Sequence, residues 1–243
     1  MKPTFRRVLI AVAALLAVAL TVSLGRWQLD RAAQKLALAA AIADRAAQPP
    51  LTDLQWMVQP ANTTTQYRHV QLQGRWLPDS TVYLDNRQMQ ARVGFYVFSA
   101  FQPTGSQEVV MVQRGWVPRN FESRTALPAV QTTDGGVRID GHLAPPPSKL
   151  YEPGEPSVST IRQNLDLTQF GRQIGRPVLT AWTVVQTDPA SDGLLRDWPE
   201  INLGVDTHYG YAAQWFALAV LIVLLYAWFQ VRPIVFSLKE PHV

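Results

Sequence analysis

The sequence predicts two transmembrane α-helices that flank a mainly antiparallel β (α+β) extracytoplasmic domain. The first observation behind this fold class is two apolar runs without a charged residue, at residues 8–24 and 211–229. The second is the segment between them, where short stretches alternate apolar and polar residues and end in turn residues. Such a pattern is typical of an antiparallel sheet or a small open barrel.

The first predicted span, residues 8–24, follows a basic N-terminal segment. Its length is at the short end of what crosses about 30 Å of hydrocarbon at roughly 1.5 Å per residue. A cleaved signal peptide, with Ala17-Val18-Ala19 at the cleavage site, is the alternative. We expect a retained span, because apolar residues continue to Leu24 instead of giving way to a polar segment.

The second span is predicted over residues 208–229. It has aromatic residues at both ends, where amphipathic rings prefer the level of the lipid headgroups. These are Tyr209, Tyr211 and Trp215 at one end, and Tyr226, Trp228 and Phe229 at the other. A buried core helix is the alternative, but so long a run without a charge favours a membrane span.

The net charge of +4 is carried by the two ends of the chain. Residues 1–25 and 208–243 hold the excess of basic residues, whereas residues 26–207 contain equal numbers of basic and acidic residues. A balanced domain has no basic groove for a phosphate backbone, so the sequence predicts no nucleic-acid partner.

The same distribution predicts the orientation in the membrane. The positive-inside rule places residues 1–7 and 230–243 in the cytoplasm and the domain of residues 25–207 on the other side. We expect a bacterial inner membrane, with this domain in the periplasm. Three basic residues just beyond the first span, partly offset by Asp30, count against this orientation: Arg26, Arg31 and Lys35.

The domain is predicted to begin with a helix and continue as strands. Apolar residues recur at steps of three and four over residues 27–47, which indicates an amphipathic helix that Pro49-Pro50 ends. A second, short helix is predicted over residues 165–174, after a proline-rich loop at 144–157. Strands are predicted at residues 67–76, 81–87, 93–101, 107–117, 137–143 and 178–187.

No standard catalytic motif occurs in the chain, and it has no cysteine. The sequence therefore excludes thiolate metal sites and cysteine nucleophiles, and it predicts that the protein is not an enzyme. A protein-only copper or zinc site would need distant strands to bring the four histidines together. We expect His69 at the rim of a sheet, His142 near a loop and His242 in the C-terminal tail.

His208 differs from the other histidines, because it lies where the second span begins. At helical spacing it shares a face with Ala212 and Trp215, and Tyr211 lies beside it. An imidazole above a flat apolar surface is suited to be an axial ligand of a porphyrin iron. The alternative is an interfacial histidine that hydrogen-bonds to headgroups or water.

Several short segments together carry a resemblance to a known family. They are Leu24-Gly25-Arg26-Trp27-Gln28-Leu29 with Arg31 and Lys35; Tyr67-Arg68-His69-Val70 with Gly74; Val82-Tyr83-Leu84-Asp85-Asn86-Arg87 with Gly94; Arg114-Gly115-Trp116-Val117-Pro118; Arg162-Gln163-Asn164-Leu165-Asp166-Leu167; and residues 208–219. In this order the chain resembles the Surfeit locus protein 1 family of cytochrome c oxidase assembly factors.

The resemblance implies a domain held between two membrane spans on the outer face of an energy-transducing membrane. It also implies a role in maturing subunit I of haem-copper oxidase, by holding haem a for insertion. The expected partners are cytochrome c oxidase subunit I, haem a synthase and the membrane, and the residue that matches the family's haem-linked histidine is His208. Asp206-Thr207 precede it, where the family has asparagine.

From these residues we form a hypothesis for a haem a site. The two spans are adjacent, Gly25 permits their close approach, and Arg26 neutralises a haem propionate. Trp27 and Trp215 wall the ring above His208. An interfacial anchor is the alternative role for Arg26, and simple helix packing is the alternative for Gly25. At the level of function, the alternative is a cofactor-free scaffold that stabilises subunit I during oxidase assembly.

Overall fold

The computed structural model describes residues 3–58, 64–120, 127–128, 130–133, 135–152, 157, 159–189, 192–198 and 204–231. The chain divides into a helical unit, Met1–Ala40 with Ile201–Val243, and a sheet unit, Ala41–Glu200. Much of the segment predicted as the cytoplasmic C-terminus, from residue 232 onward, lies outside the described residues.

The first predicted span and the amphipathic helix after it form one continuous helix, α1, Pro3–Ala46. It ends just before Pro49-Pro50, as a proline pair requires. The second span is helix α3, Val205–Tyr226, followed by a π-helical turn, Ala227–Val231. Both α1 and α3 are long and apolar enough to cross a membrane, and only 11% of each apolar window is buried within the structure. A core helix of a soluble protein would be mostly buried, so the two membrane spans are supported.

Helices α1 and α3 pack antiparallel along a line of contacts that we call the seam. Gly25 of α1 meets Phe216 of α3, and further along, Gln28 meets His208. Ala32 of α1 and Ala212 of α3 are also buried. Residue numbers rise along α1 as they fall along α3, which is the antiparallel arrangement that a chain crossing twice must have.

In its described residues, the sheet unit contains seven strands and one short α-helix. The strands are β1 (His69–Trp76), β2 (Val82–Met89), β3 (Arg92–Pro103), β4 (Val109–Pro118), β5 (Val137–Ala144), β6 (Ile161–Arg162) and β7 (Val178–Gln186). The short helix is α2, Leu167–Ile174, and a 3₁₀ turn, Gln55–Val58, precedes the first strand. The structure confirms the mainly β domain between two helices. The sequence missed β6 and the 3₁₀ turn, because elements this short carry no periodicity.

Five strands close into a barrel in the order β1, β5, β7, β4 and β3, because β3 also pairs with β1. The barrel form is thus confirmed, and its ring is closed. Closure depends on Gly74, where a Cβ atom would lie 2.1 Å from the carbonyl oxygen of Gln102. A register shift between Val97 and Phe98 also lets the long strand β3 bend between its partners. Strands β2 and β6 extend the sheet beyond the ring, and the pairings β4–β7 and β2–β6 are parallel.

The core of the sheet unit lies on both sides of the barrel wall. One cluster contains Trp56 from the 3₁₀ turn together with Phe101 and Trp182 from the strands. A second cluster packs Phe170 of α2 against β2, β3 and β4. The carboxylate of Asp166 caps α2 by accepting the Gln169 N–H at 2.9 Å, so the helix begins two residues later than predicted.

Candidate functional site

His208 lies in the first turn of α3 and is hydrogen-bonded across the seam. Its Nδ1 is 2.6 Å from the carboxamide oxygen Oε1 of Gln28 on α1. A carboxamide oxygen only accepts hydrogen bonds, so Nδ1 carries the proton and donates it. In the neutral ring Nε2 then holds a lone pair, and Nε2 has no hydrogen-bond partner in the part of the chain that the structure describes.

The position of this hydrogen bond is set by close helix packing about one turn away. A Cβ atom on Gly25 would lie 2.7 Å from the Phe216 ring, so glycine lets this ring pack directly against the α1 backbone. The prediction that the two spans are adjacent at Gly25 is confirmed. Ala32 and Ala212 are 0% and 2% exposed, and they continue the contact.

The aromatic neighbours of His208 on α3 differ in exposure. Trp215 is half-buried with Ala212 on the face turned toward α1, whereas the Tyr211 ring is 49% exposed. The face predicted to lie open beneath the imidazole is therefore partly covered by α1. The exposed aromatic side chains beside His208 on α3 are Tyr211 and Tyr209, which is 46% exposed.

Arg26 and Trp27 lie at the predicted level of α1 but on other faces of the helix. Successive residues in a helix turn by about 100°, so neither side chain points where Gly25 and Gln28 do. Both are exposed, and the Arg31 guanidinium lies 5.7 Å from the centroid of the Trp27 ring. The structure therefore brings together His208, Tyr211 and Trp215, and it does not place Arg26 or Trp27 in the seam with them.

Gln28 is the site residue that the sequence reasoning missed. It belongs to the segment that carries the family resemblance, but its partner lies 180 residues away. One signal was available, since Gly25, Gln28 and Ala32 follow at steps of three and four. An amide between two small residues at the end of an apolar helix indicates a polar contact inside a helix pair.

The model of the SURF1 family matches residues 15–220 of the chain. The chain belongs to the SURF1 family. Among curated proteins it is similar to the SURF1-like protein of Rickettsia bellii, with 26% identity over 212 residues, 84% of each chain. It is 25% identical to the SURF1-like protein of Rickettsia prowazekii over 211 residues, 84% of this chain and 82% of the relative. The family match covers both partners of the seam hydrogen bond, Gln28 and His208.

Two further histidines of this SURF1 family member pair inside the sheet unit. His69 of β1 faces His142 of β5 in register, and the Tyr67 ring stacks on His142 at 6.2 Å between centroids. Burial, and secondarily the nearby His69, lower the pKa of His142 from 6.5 to about 4. His69 is the first residue of β1, which agrees with the predicted rim position, and His142 lies within β5, two residues before that strand ends. Within the described ranges, no three His, Cys, Asp or Glu side chains come together to hold a metal.

The segment with Arg114, Gly115 and Trp116 is buried rather than exposed. The Arg114 guanidinium lies 4.4 Å from the centroid of the Trp76 ring and 3.2 Å from the carboxylate of Asp192. Asp192 also accepts from Arg196 at 2.5 Å. Burial lowers the pKa of Arg114, and the Asp192 carboxylate opposes that shift. This cluster supports the barrel wall and presents no surface to a partner.

Proposed function

We propose that this protein is a membrane-anchored assembly factor for haem-copper cytochrome c oxidase that binds haem a and assists its insertion into subunit I. The observation that carries the proposal is the imidazole of His208, held at Nδ1 by Gln28, with Nε2 unpartnered among the residues that the structure describes. Membership of the SURF1 family supports the role in oxidase assembly.

The donor set of the seam fits a haem better than a bare metal ion. A bare zinc or copper ion needs three or four protein ligands, and the described residues offer no such group. A porphyrin iron takes four nitrogens from its own ring and needs only axial ligands from the protein. One imidazole at the end of a membrane helix, beside the Tyr211 ring, meets that need.

The proposed setting follows from the charges at the chain ends. Both termini lie in the cytoplasm of a bacterial cell, and the barrel lies in the periplasm. His208 and Gln28 then lie at the periplasmic end of the two spans, in the inner membrane. Haem a synthase supplies the cofactor, and subunit I of the oxidase receives it.

Four further residues are proposed to surround the haem, and each has less structural support than His208. Tyr211 and Trp215 lie about one and two turns after His208 on α3, so they are proposed as contacts of the haem ring. The propionate role of Arg26 and the wall role of Trp27 stay predictions, because these side chains lie on other faces of α1. If Arg26→Ala left haem affinity unchanged while His208→Ala abolished it, the propionate role would be wrong.

The test is a visible spectrum of the full chain, co-expressed with haem a synthase and purified in detergent. We expect a haem a signal from the wild-type protein and loss of that signal in His208→Ala. Thr207→Ala is the control and should retain the signal, because Thr207 is the exposed neighbour of His208. Wild-type protein without haem a would contradict cofactor binding.

A cofactor-free scaffold for subunit I is the second candidate, favoured by the exposed Arg26 and the Trp27 ring, which is 50% exposed. Such side chains on faces away from α3 are available to another membrane protein. The scaffold predicts that His208→Ala is tolerated in oxidase assembly and that Trp27→Ala is not. Full oxidase activity in a deletion strain would contradict both candidates.

A further inference from the structure

We infer that Gln28 is a positioning residue for His208: its carboxamide oxygen fixes the imidazole as the Nδ1–H tautomer and so presents Nε2 to a metal. The inference rests on the proposed function, because the tautomer of His208 matters only if Nε2 binds a metal. Nothing in the residue pattern near His208 supplies this acceptor, since α1 brings it from the other end of the chain.

The tautomer decides whether the imidazole can ligate. Free imidazole side chains in water favour the form with the proton on Nε2, and that nitrogen then has no lone pair to offer. An acceptor held 2.6 Å from Nδ1 reverses the preference. The same hydrogen bond fixes the rotation of the ring, and it makes the ligating nitrogen more basic.

The backbone packing holds both partners in register. Gly25 and the buried Ala212 lie with Phe216 on one side of the hydrogen bond, and Ala32 is buried on the other. A slip of α1 by one turn would move the carboxamide by about 5.4 Å and would drive α1 residues larger than glycine into the Phe216 ring. The acceptor is therefore placed by the helix pair and not by a flexible loop.

A neutral amide also suits a protein that must release what it binds. A carboxylate in the same place would draw the Nδ1 proton more strongly and make Nε2 a stronger donor to iron. The carboxamide orients the ring with a smaller gain in donor strength. Replacing Gln28 by glutamate should thus keep the tautomer, tighten haem a binding and lower the reduction potential of the bound iron.

The first experiment needs no haem. Long-range proton–nitrogen NMR of the histidine-labelled full chain in detergent reads the tautomer, with His208→Ala assigning the signal. We expect Nδ1–H in the wild type and in Gln28→Glu, and a shift toward Nε2–H in Gln28→Leu. Wild-type protein with the proton on Nε2 would overturn the inference.

The second experiment measures haem a affinity by spectral titration of the same purified variants. Gln28→Leu should weaken haem a binding about 10- to 100-fold relative to the wild type. Gln28→Glu should bind haem a at least as tightly as the wild type, with a lower reduction potential of the iron. The matched control is Gln34→Leu, because Gln34 is exposed on the same helix and its side chain hydrogen-bonds only to Arg31 among the described residues. If Gln28→Leu does not fold, Gln28→Asn replaces it, since its shorter side chain withdraws the oxygen but keeps the amide.

The outcomes separate the two claims. Wild-type binding of haem a with equal affinity in Gln28→Leu would refute the positioning role and leave the proposed function standing. Loss of binding in Gln28→Leu without rescue by Gln28→Glu would assign Gln28 to helix packing alone, against the inference. A wild type that keeps Nδ1–H but takes up no haem a would overturn the proposed function, and the ligand-presenting role with it.

Discussion

The barrel interior is filled by large side chains, whereas the seam between α1 and α3 packs small residues against the Phe216 ring. Trp56, Phe101 and Trp182 are almost completely buried in the sheet unit. The seam has Gly25 and Ala212 in the corresponding role. In water, burying apolar area stabilises the fold, so large residues contribute most. Between lipid-exposed helices that gain is absent, and close van der Waals packing against small residues takes its place.

The two regions also treat buried polar groups differently. In the sheet unit, Asp192 receives hydrogen bonds from both Arg114 and Arg196, so these groups serve each other. In the seam, the Nδ1 of His208 hydrogen-bonds to Gln28, and its Nε2 has no hydrogen-bond partner within the described residues. We therefore read the charged cluster as structural and the His208–Gln28 pair, with a ring nitrogen open to a ligand among the described residues, as the candidate site.

The largest expected effect breaks the seam and leaves the barrel intact. Gly25→Leu should reduce the haem a content of the purified protein to about one tenth or less, because the new side chain collides with Phe216 and parts Gln28 from His208. The visible spectrum measures it. Gly210→Leu is the matched control, since a Cβ there meets no atom within 4 Å among the described residues. A Gly25→Leu protein with full haem a would contradict the role of the seam.

The second-largest expected effect is a loss of stability in the sheet unit, with the His208–Gln28 pair left unchanged. Asp192→Ala should lower the free energy of unfolding of the sheet unit by about 3–5 kcal/mol, because two buried arginines lose their counterion. Tryptophan fluorescence during urea unfolding measures it. Arg138→Ala, which removes an exposed pair with Asp140, should cost about 1 kcal/mol or less. Equal effects of the two variants would show that burial of the cluster is not what matters.

A smaller effect depends on pH and is confined to the sheet unit. The pKa of His142 is about 4 in the folded protein and about 6.5 when unfolded. Between these values the unfolded chain binds a proton that the folded chain does not, so stability should fall as the pH falls from about 6.5 to 4. His142→Gln should flatten this part of the urea-midpoint profile relative to the wild type. Parallel profiles would contradict a neutral His142.

The smallest expected effect concerns helix caps. Asp166→Ala should cost the sheet unit about 1 kcal/mol, because the first turn of α2 loses the carboxylate that accepts the Gln169 N–H. Helix α3 begins at Val205, and its N-cap residue, Gly204, provides no side-chain hydrogen bond. Gly204→Ala should therefore lower the free energy of unfolding through backbone strain alone, because the φ of 60° at Gly204 disfavours a residue with a Cβ atom. Urea unfolding compares the two, and no loss in Asp166→Ala would show the cap to be dispensable.

The sequence by itself determined the two spans, the strand positions and the histidine of the candidate site. Runs without charge and alternating strands are local patterns, because the membrane and the sheet impose their periods on neighbouring residues. The boundaries of β1, β4 and β7 lie within two residues of those predicted. His208 stood out for the same local reason, its position where an apolar run begins.

Only the tertiary structure decided which distant residues meet. The bond from Gln28 to His208, the register of His69 with His142 and the closure of the barrel at Gly74 each join segments far apart in the chain. No local period encodes such a contact, since it depends on how helices and strands cross. The structure also turned Arg26 and Trp27 away from the seam, because a shift of one or two residues along a helix changes the face by 100° or 200°.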